Sequence, residues 1–397
     1  MSVFQKQIER MEISLFFDPV RQTDIPVNKQ LLSQSFKIYK EGSDFPDLEG
    51  IQIALIGVGE ERGAINNAGC GYAPDEVRKY LYRLFAGPWN CRIADLGNIK
   101  QGHDVKDTYF ALTASMEELL RNNIFPVIIG GSQDLSYAMY KAYEAMAQIV
   151  NITAIDNSFD LGEEETEINA RSYLSKIILT RPNFLFNYTN IGYQTYFVDQ
   201  SAISLMRKLF FDTLRLGIAQ SSMEDVEPLI RNADMVMFDI SSVRMSDAPG
   251  NLNATPNGFY GEEACQMARY AGFSDKLSSI GFFEVNPTYD HSGQTAHLTA
   301  QMIWYFIDGF ASRTNEFPGK SIDDFFKYHV SVKENEQPII FYKSKKSERW
   351  WMEVNCPENI REKYERHYIV PCSFADYQTA CSDEVPDRWW QVYQKMM

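Results

Sequence analysis

Two aspartates four residues apart follow an apolar run in the stretch VNITAIDNSFDLG, Val150 to Gly162. An Asp-x-x-x-Asp pair at the end of a strand is typical of a metal site, because carboxylate oxygens are ligands that divalent cations prefer. The residue between Asp156 and Asp160, where a histidine would complete such a site, is Ser158. The stretch is therefore either a metal site or what is left of one.

Three further apolar runs end in polar side chains. They are followed by GGSQDLS, FDISSVR and FEVNP, which supply Gln133, Asp134, Asp239, Ser241, Arg244 and Glu284. An isolated aspartate at a strand end is usually a helix N-cap. Several acids at one sheet edge instead predict a site, because crowded carboxylates repel one another unless a cation lies among them.

Short, continuously apolar runs alternate with helical patterns and would position these residues. Such runs predict strands buried on both faces of a parallel sheet, and they cover residues 51–58, 91–97, 125–131, 150–156, 188–194, 213–219, 233–241 and 277–285. Residues 73–85 and 107–123 show the pattern of helices. Eight strands alternating with helices predict an α/β fold, either an open doubly wound sheet or a closed barrel. Both place their sites at the carboxyl ends of the strands.

Charge and composition exclude several classes of function. The chain has 397 residues and a formal net charge of −15, which argues against nucleic acid or a membrane surface as a partner, since both need a basic patch. No apolar run approaches the roughly 18 residues of a membrane span, and the first residues lack the uncharged core of a signal peptide. The six cysteines form no C-x-x-C pair, so we expect a reduced, cytoplasmic protein without a zinc ribbon or disulfide framework.

The alternation of strands and helices stops at about Pro318. The remainder is rich in aromatic residues and contains SERWW at 347–351 and PDRWW at 386–390. We interpret residues 318–397 as a C-terminal extension that packs its tryptophans on the body. A protein-docking surface is the alternative, because Trp, Tyr and Arg dominate interface hot spots. The predicted organisation is an N-terminal extension (1–50), a main domain (51–317) and this C-terminal extension.

At the strand ends the chain resembles the ureohydrolase family, which comprises arginase, agmatinase and formimidoylglutamase. The family motifs G-G-D-H-S, D-A-H-x-D and D-x-D-x-x-D-P are similar to GGSQD at 130–134, DNSFD at 156–160 and DISSVRM at 239–245. The family's late glutamate and turn are matched by EVNP at 284–287, its early motif by APDEVR at 73–78 and its late helix entry by QTAHLTAQMIWYF at 294–306. The resemblance covers about residues 51–310, and GVGEERG and PNGFYGEEA are most similar to the formimidoylglutamase branch.

The resemblance implies one three-layer α/β/α domain around a central parallel sheet, and so an open sheet rather than a barrel. It also implies two manganese ions, held by two histidines and four aspartates, that activate a bridging water for attack on a guanidino or formimino carbon. Carried over by position, Asp156, Asp160 and Asp239 remain as ligands. Glu284 stands at a substrate-orienting position of the family.

Three of the six ligand positions differ from the family. The histidine positions hold Gln133 and Ser158, and the fourth aspartate position holds Ser241. The remaining metal ligands would be the oxygens of Gln133, Asp156, Asp160 and Asp239, an all-oxygen set that suits a hard cation. We therefore expect no cofactor, or one Mg²⁺ or Mn²⁺ ion. Asp134 stays open as a further ligand.

Arg244 is a further departure, since it adds a cation close to Asp239 in the sequence. Its guanidinium could neutralise the carboxylates as a metal otherwise would. A solvent-facing loop residue is the alternative interpretation of Arg244.

Two functions stay open. The first is a family member without two-manganese activity, a pseudoenzyme that acts as a binding or assembly module. The second is a hydrolase of linear amidines, guanidino or formimino compounds such as formimidoylglutamate, that uses one hard cation. Its catalytic residues would be Asp156, Asp160, Asp239 and Glu284, with Gln133, Asp134, Ser158, Ser241 and Arg244 lining the site. The loss of three ligands favours the first function.

The partners that we expect follow from these functions. They are a small amidine or amino-acid-like ligand and a protein that docks on the C-terminal extension, whereas nucleic acid and membranes are not expected. A homo-oligomer stays open.

Overall fold

The computed structural model describes residues 12–162, 167–333 and 337–397. The strands in these ranges are β1 (Phe17–Asp18), β2 (Phe36–Ile38), β3 (Ile53–Val58), β4 (Ile93–Ile99), β5 (Phe125–Gly130), β6 (Val150–Ile155), β7 (Leu185–Tyr193), β8 (Asp212–Arg215), β9 (Met235–Asp239), β10 (Ser279–Phe283), β11 (Phe325–Val330), β12 (Ile339–Ser344), β13 (Trp350–Glu353) and β14 (Ile369–Cys372). The α-helices are α1 (Ala73–Leu81), α2 (Val105–Arg121), α3 (Leu135–Ala145), α4 (Tyr173–Leu179), α5 (Gln200–Lys208), α6 (Leu216–Ser221), α7 (Met223–Arg231), α8 (Gly261–Phe273), α9 (Gln294–Ala311), α10 (Glu358–Arg361), α11 (Phe374–Cys381) and α12 (Asp387–Met396).

The main sheet is open and almost entirely parallel. Its strand order is β1-β4-β3-β5-β10-β9-β6-β7-β8, with β2 beside β4. Within the described residues, only β1 runs antiparallel to its neighbour. The predicted α/β fold with a central parallel sheet is therefore confirmed, and the closed barrel that the pattern left open is not formed.

Each central strand buries both of its faces, which explains why the strands are continuously apolar. In β3, Ile53 and Leu55 join one apolar cluster, which also contains residues of α1, α8 and α9. Ala54, Ile56 and Val58 of the same strand join a second cluster, which contains residues of α2, α3 and α4. Because side chains alternate along a strand, the two clusters lie on opposite faces of the sheet, and the domain has three layers.

A buried ion pair fixes α1 against the sheet. The Nε of Arg78 donates to Oδ2 of Asp95 at 2.8 Å, and its Nη2 donates to Oδ1 at 2.9 Å. Both side chains are at most 1% exposed. This two-pronged contact joins the arginine of the APDEVR motif to the middle of β4, so that motif has a structural role.

One predicted strand is wrong in its second half. We expected residues 213–219 to form a single strand, but only Asp212–Arg215 pairs with β7 and Leu216–Ser221 is helical. The strand lies at the edge of the sheet, where few pairing bonds oppose helix formation. A short apolar run does not by itself distinguish a strand from a buried helical turn.

The C-terminal extension has its own antiparallel sheet, in the order β11-β12-β13-β14. Trp350, Trp351 and Trp389 are buried, and the guanidinium of Arg231 in α7 lies 4.4 Å from the ring centroid of Trp351. Arg366 forms an ion pair with the fully buried Asp234 beside β9. Apolar packing and this ion pair therefore hold the extension against the main domain.

The N-terminal residues add strands to the edge of the main sheet. Phe36–Ile38 pairs in parallel with β4, and Phe17–Asp18 pairs with the end of the same strand. Within the described ranges, none of the helices combines the length and the apolar character that a membrane span requires.

Candidate functional site

The predicted site residues follow four strands that are neighbours at the centre of the sheet. Strands β5, β10, β9 and β6 are adjacent in that order. Their carboxyl ends lead into Gln133 and Asp134, Glu284, Asp239 and Ser241, and Asp156, Ser158 and Asp160, respectively. Since all four strands are parallel, these side chains come from one edge of the sheet, where open α/β sheets place their ligands.

Gln133 links two of the acidic residues. Its Nε2 donates to Oδ2 of Asp156 at 3.0 Å and to the hydroxyl of Tyr173 at 3.2 Å. Its backbone N–H donates to Oε1 of Glu284 at 2.9 Å. Gln133 stands where the resemblance places a histidine ligand, and its amide hydrogens point at the carboxylate that a metal would contact.

Ser158 replaces the second histidine and also donates to carboxylates. Its backbone N–H bonds to Oδ1 of Asp156 at 3.0 Å, and its hydroxyl bonds to Oδ1 of Asp160 at 3.1 Å. The other oxygen of Asp160, Oδ2, is buried and receives no hydrogen bond from the described residues. The neighbouring carboxylate of Asp156 has no hydrogen to donate when it is ionised. It can bond to Asp160 only when the two carboxylates share a proton.

Asp239 and Ser241 form a turn after β9. The backbone N–H of Ser241 donates to Oδ1 of Asp239 at 2.7 Å. The side-chain amide of Asn157 donates to the carbonyl oxygen of Ser241 at 3.1 Å and to its hydroxyl at 3.2 Å. Ser241, at the fourth aspartate position, is thereby engaged by hydrogen bonds within the protein.

Glu284 is held in an uncommon backbone conformation, with a φ of +67°. Asn67 donates its side-chain amide to Oε2 of Glu284 at 2.7 Å and to its carbonyl oxygen at 2.9 Å. Asn251 donates to the same carbonyl at 2.8 Å. A non-glycine residue in this region costs about 1–3 kcal/mol and persists only where its surroundings fix it. These bonds supply that constraint.

Asp134 is bonded to a tyrosine of α2. Its carboxylate accepts a short hydrogen bond from the hydroxyl of Tyr109, and the residue is fully buried. Burial raises the pKa of Asp134 to about 6. Asp134 therefore bonds to Tyr109 of α2. It does not bond alongside Gln133 to Asp156.

The predicted role of Arg244 as a neutralising cation is not supported. Its Nε donates to Oδ1 of Asp247 at 2.9 Å, and its guanidinium stacks 3.8 Å from the ring centroid of Tyr260. The side chain is 32% exposed. The turn that follows Asp239 directs Arg244 toward Asp247, so the alternative interpretation, a solvent-facing loop residue, describes it better.

Burial dominates the electrostatics of the acidic cluster. It raises the pKa of Asp156 well above its usual range, with the neighbouring Asp160 adding to the effect. Burial likewise raises the pKa of Asp160 to about 7. The pKa of Asp239 is raised by burial and by Asp156, and that of Glu284 by burial and by Asp239. Carboxylates in this cluster hold protons more tightly than in water.

The donor chemistry does not fit a pair of manganese ions. Both histidine positions are occupied by groups that donate hydrogen bonds to the carboxylates. Among the described residues, His, Cys, Asp and Glu side chains form no group of three or more arranged to hold a metal ion. Instead, Asp156 accepts a hydrogen bond from the side chain of Gln133, and Asp160 accepts one from the side chain of Ser158. Asp239 accepts one from the backbone N–H of Ser241. All three donors stand at other ligand positions.

A cavity of about 340 Å³ opens beside Asp160. Of the predicted site residues, only Ser158 and Asp160 are among its described lining. Arg171 and Phe197 also line the cavity and are exposed. The cavity therefore combines the buried carboxylate of Asp160, the exposed carboxylate of Asp199, one exposed guanidinium and an aromatic surface.

Sequence reasoning missed Asn67 and Tyr173. Asn67 lies 217 positions from its partner Glu284, and Tyr173 lies 40 positions from Gln133. The signal for Asn67 is its loop, which follows β3 and so leaves the same edge of the sheet. Tyr173 belongs to a helix whose start is preceded by residues that carry no site motif, so the sequence offered no comparable signal.

Comparison with known proteins identifies the family of the chain. The model of the arginase family matches residues 51–308. A formimidoylglutamase of Staphylococcus aureus is 24% identical over 270 residues, which are 64% of this chain and 85% of that protein.

Solved structures share the fold. A formiminoglutamase of Trypanosoma cruzi, crystallised with Mn²⁺, has a TM-score of 0.62 at 20% identity and covers 68% of this chain and 100% of its own. A formimidoylglutamase of Bacillus subtilis has a TM-score of 0.61 at 20% identity, with 69% and 96% covered. An agmatine ureohydrolase of Thermoplasma volcanium has a TM-score of 0.57 at 18% identity, with 66% and 91% covered. With its sheet topology, its strand-end motifs and a family match across most of its length, this chain belongs to the arginase family.

Proposed function

We propose that this chain is a binding or assembly module of the arginase family that does not carry out two-manganese hydrolysis. The observation that carries this proposal is the hydrogen bond of 3.0 Å from Nε2 of Gln133 to Oδ2 of Asp156. A metal ligand must offer a lone pair, whereas the amide nitrogen that faces the carboxylate of Asp156 offers a hydrogen instead. The side chain at a ligand position thus competes with a cation for Asp156.

The cavity beside Asp160 suits a small ligand with N–H donors. Its volume of about 340 Å³ lies within the roughly 300–1,000 Å³ of small-molecule sites. Asp160 is 7% exposed, and apart from a proton shared with Asp156 its Oδ2 has no donor among the described residues. An amidinium group would supply planar N–H donors and a positive charge to that oxygen. Arg171 lies on the same cavity and could pair with a ligand carboxylate.

The ligand class that follows is an amidine with an amino-acid-like end. Thermal unfolding in the presence of formimidoylglutamate or arginine tests this, with glutamate as the probe that lacks an amidine. We expect the first two to raise the melting temperature, because a ligand that binds only the folded state stabilises it by about 2.7 kcal/mol at a hundred times its Kd. The ligand should be recovered intact afterwards.

A pair of variants locates the binding. Asp160→Asn removes the charge but keeps the side-chain shape, and should abolish the ligand-induced shift. Asp44→Asn removes one charge from an exposed position and should leave the shift unchanged. Equal shifts in all three proteins, or no shift in the wild type, would count against the assigned site.

A hydrolase of linear amidines that uses one hard cation is the second candidate. It is favoured by the adjacent carboxylates of Asp156 and Asp160, since two carboxylates in one place can hold a hard cation once it displaces the proton that they share. It is also favoured by the relatives, which are formimidoylglutamases. Release of formamide or urea in the presence of Mg²⁺ or Mn²⁺, lost in Asp160→Asn, would select this candidate over binding alone.

A further inference from the structure

The C-terminal extension carries a larger cavity than the one beside Asp160. A groove of about 1100 Å³ opens between the end of β13, α10 and the start of α12. This volume exceeds the roughly 300–1,000 Å³ of small-molecule sites, so the groove has the size for a segment of another protein. It shares no lining residue with the cavity beside Asp160.

The charge of the groove is one-sided. Its described lining includes five acidic residues and a single basic one, Arg361. Glu353 is paired with Arg361 at 3.5 Å, and Asp383 is paired with Lys333. The other three acids, Glu358, Glu384 and Asp387, are exposed and form no ion pair with the described residues. The groove therefore presents uncompensated negative charge.

Aromatic rings line the same groove. Trp390 is 49% exposed although it is large and apolar. Its ring stacks on that of Tyr393 with the centroids 5.8 Å apart, and Tyr393 in turn stacks on Trp389 at 5.1 Å. The faces of Trp and Tyr rings attract cations, most strongly when the contact excludes water. The aromatic stack therefore favours a cationic ligand, as the acidic residues do.

The groove already contains a guanidinium that contacts both an aromatic ring and a carboxylate. The guanidinium of Arg361 lies 4.7 Å from the ring centroid of Tyr368 and 3.5 Å from Oε1 of Glu353. A guanidinium between an aromatic face and a carboxylate is therefore compatible with this surface. Trp390, Glu384 and Asp387 line the same groove, and none of them forms an ion pair or cation–π contact with a lysine or arginine side chain of the described residues.

We propose that this groove is a docking site for a basic segment of a partner protein, one that inserts an arginine or lysine side chain against Trp390. Charge complementarity selects this occupant, since exposed acids beside aromatic rings attract a positive partner. The proposal goes beyond the binding of a small ligand at Asp160, and because the two surfaces are separate, either can fail alone.

Fluorescence anisotropy with a labelled hexa-arginine peptide tests the proposal on the full chain. Hexa-citrulline is the matched probe, because it replaces each guanidinium with an uncharged group of nearly the same shape. At an ionic strength of about 0.15 M, where charges separated by more than about 8 Å are screened, we expect hexa-arginine to bind and hexa-citrulline not to bind. Equal binding of both probes, or binding of neither, would overturn the proposal.

Variants assign the binding to the groove. The double variant Glu384→Gln/Asp387→Asn and the single variant Trp390→Ala should each weaken hexa-arginine binding by about tenfold. The control Asp44→Asn/Glu49→Gln removes two exposed charges elsewhere and should leave the affinity unchanged. Equal weakening in the control would show non-specific attraction to an acidic protein and would overturn the proposal. If Trp390→Ala fails to fold, the charge variant still decides.

A second copy of this chain is the competing occupant, because the end of β12 and the turn after it carry Lys343, Lys345, Lys346 and Arg349. Light scattering at increasing concentration distinguishes it. We expect the mass of the wild type and of Glu384→Gln/Asp387→Asn to be the same. A dimer that this variant breaks would overturn the assignment to a partner protein.

Discussion

The amide nitrogen Nε2 of Gln133 lies 3.0 Å from Oδ2 of Asp156 and donates a hydrogen bond to it. The two residues come from strands that are separated in the sheet by β10 and β9. In the proposed function, this contact stands where the family resemblance places a bond between a metal and a carboxylate. The stability of the site therefore depends on the protein's own donors.

Removing the donor should destabilise the protein. Gln133→Ala leaves Asp156 and the hydroxyl of Tyr173 without this partner in a buried place. Leaving buried polar groups unsatisfied costs about 1–3 kcal/mol, and we expect a loss of that size in urea unfolding. Gln378→Ala, at an exposed position of α11, is the matched control and should change the stability by less than about 0.5 kcal/mol. A loss no larger than in the control would mean that the Gln133 contact is not a stabilising one.

Arg244 and Arg78 should respond very differently to the same substitution. Arg244 is 32% exposed and contacts Asp247 and Tyr260, so Arg244→Ala should cost about 1 kcal/mol or less. Arg78→Ala leaves the buried Asp95 unpaired, which typically costs about 3–5 kcal/mol. Chemical unfolding of the two variants measures both losses. New stabilisation of Arg244→Ala by Mg²⁺ would restore Arg244 as the cation that neutralises the carboxylates.

His367 should make the stability depend on pH. The ring is buried against Phe186 in the contact between extension and main domain, and burial lowers its pKa to about 3, with Lys276 and Arg366 adding to the effect and Asp234 opposing it. Its unfolded pKa is about 6.5. A lowered folded pKa gives stability that is full above pH 6.5 and is lost as the pH falls toward 3.

The measurement is urea unfolding between pH 7 and pH 4 for wild type and two variants. His367→Phe keeps an aromatic ring against Phe186 and should flatten the loss of stability over this range. His297→Phe changes an exposed histidine that stacks on Tyr80, and should keep the wild-type slope. Identical slopes in all three proteins would show that another group governs the acid side.

Restoring the missing ligands should restore metal binding. In the triple variant Gln133→His/Ser158→His/Ser241→Asp, the donors that now occupy the carboxylates are replaced by metal ligands. We expect Mn²⁺ to raise its melting temperature. At a hundred times the Kd, binding should increase the free energy of unfolding by about 2.7 kcal/mol. The single variant Gln133→His should show no such shift, because Ser158 and Ser241 stay as hydroxyl groups. Failure of the triple variant would indicate that the backbone of the site has also diverged.

The convergence of the site could be predicted because it follows from topology. Strands predicted around 125–131, 150–156, 233–241 and 277–285 proved to be neighbours, and parallel strands bring their carboxyl ends to one edge. The sequence could not reveal which way each side chain bonds within that edge. Arg244 illustrates this, since it is five residues from Asp239 but forms its ion pair with Asp247.

The contacts between residues distant in the sequence, and the C-terminal sheet, could not be predicted for a different reason. Asn67 and Glu284 meet only because β3 lies two strands away from β10 in the sheet. Strands β11 to β14 are four to six residues long and pair antiparallel, and their aromatic composition suits either a core or a surface. Only the fold decides that Trp351 is buried and Trp390 is exposed.

The metal content of the wild-type protein tests the central claim most directly. The purified chain is incubated with excess Mn²⁺, freed of unbound ion by gel filtration, and analysed for manganese per chain. Since Gln133 and Ser158 donate to the carboxylates that would hold the metals, we predict at most one ion per chain. Two manganese ions per chain, together with release of urea or formamide from a guanidino or formimino substrate, would contradict the proposed function.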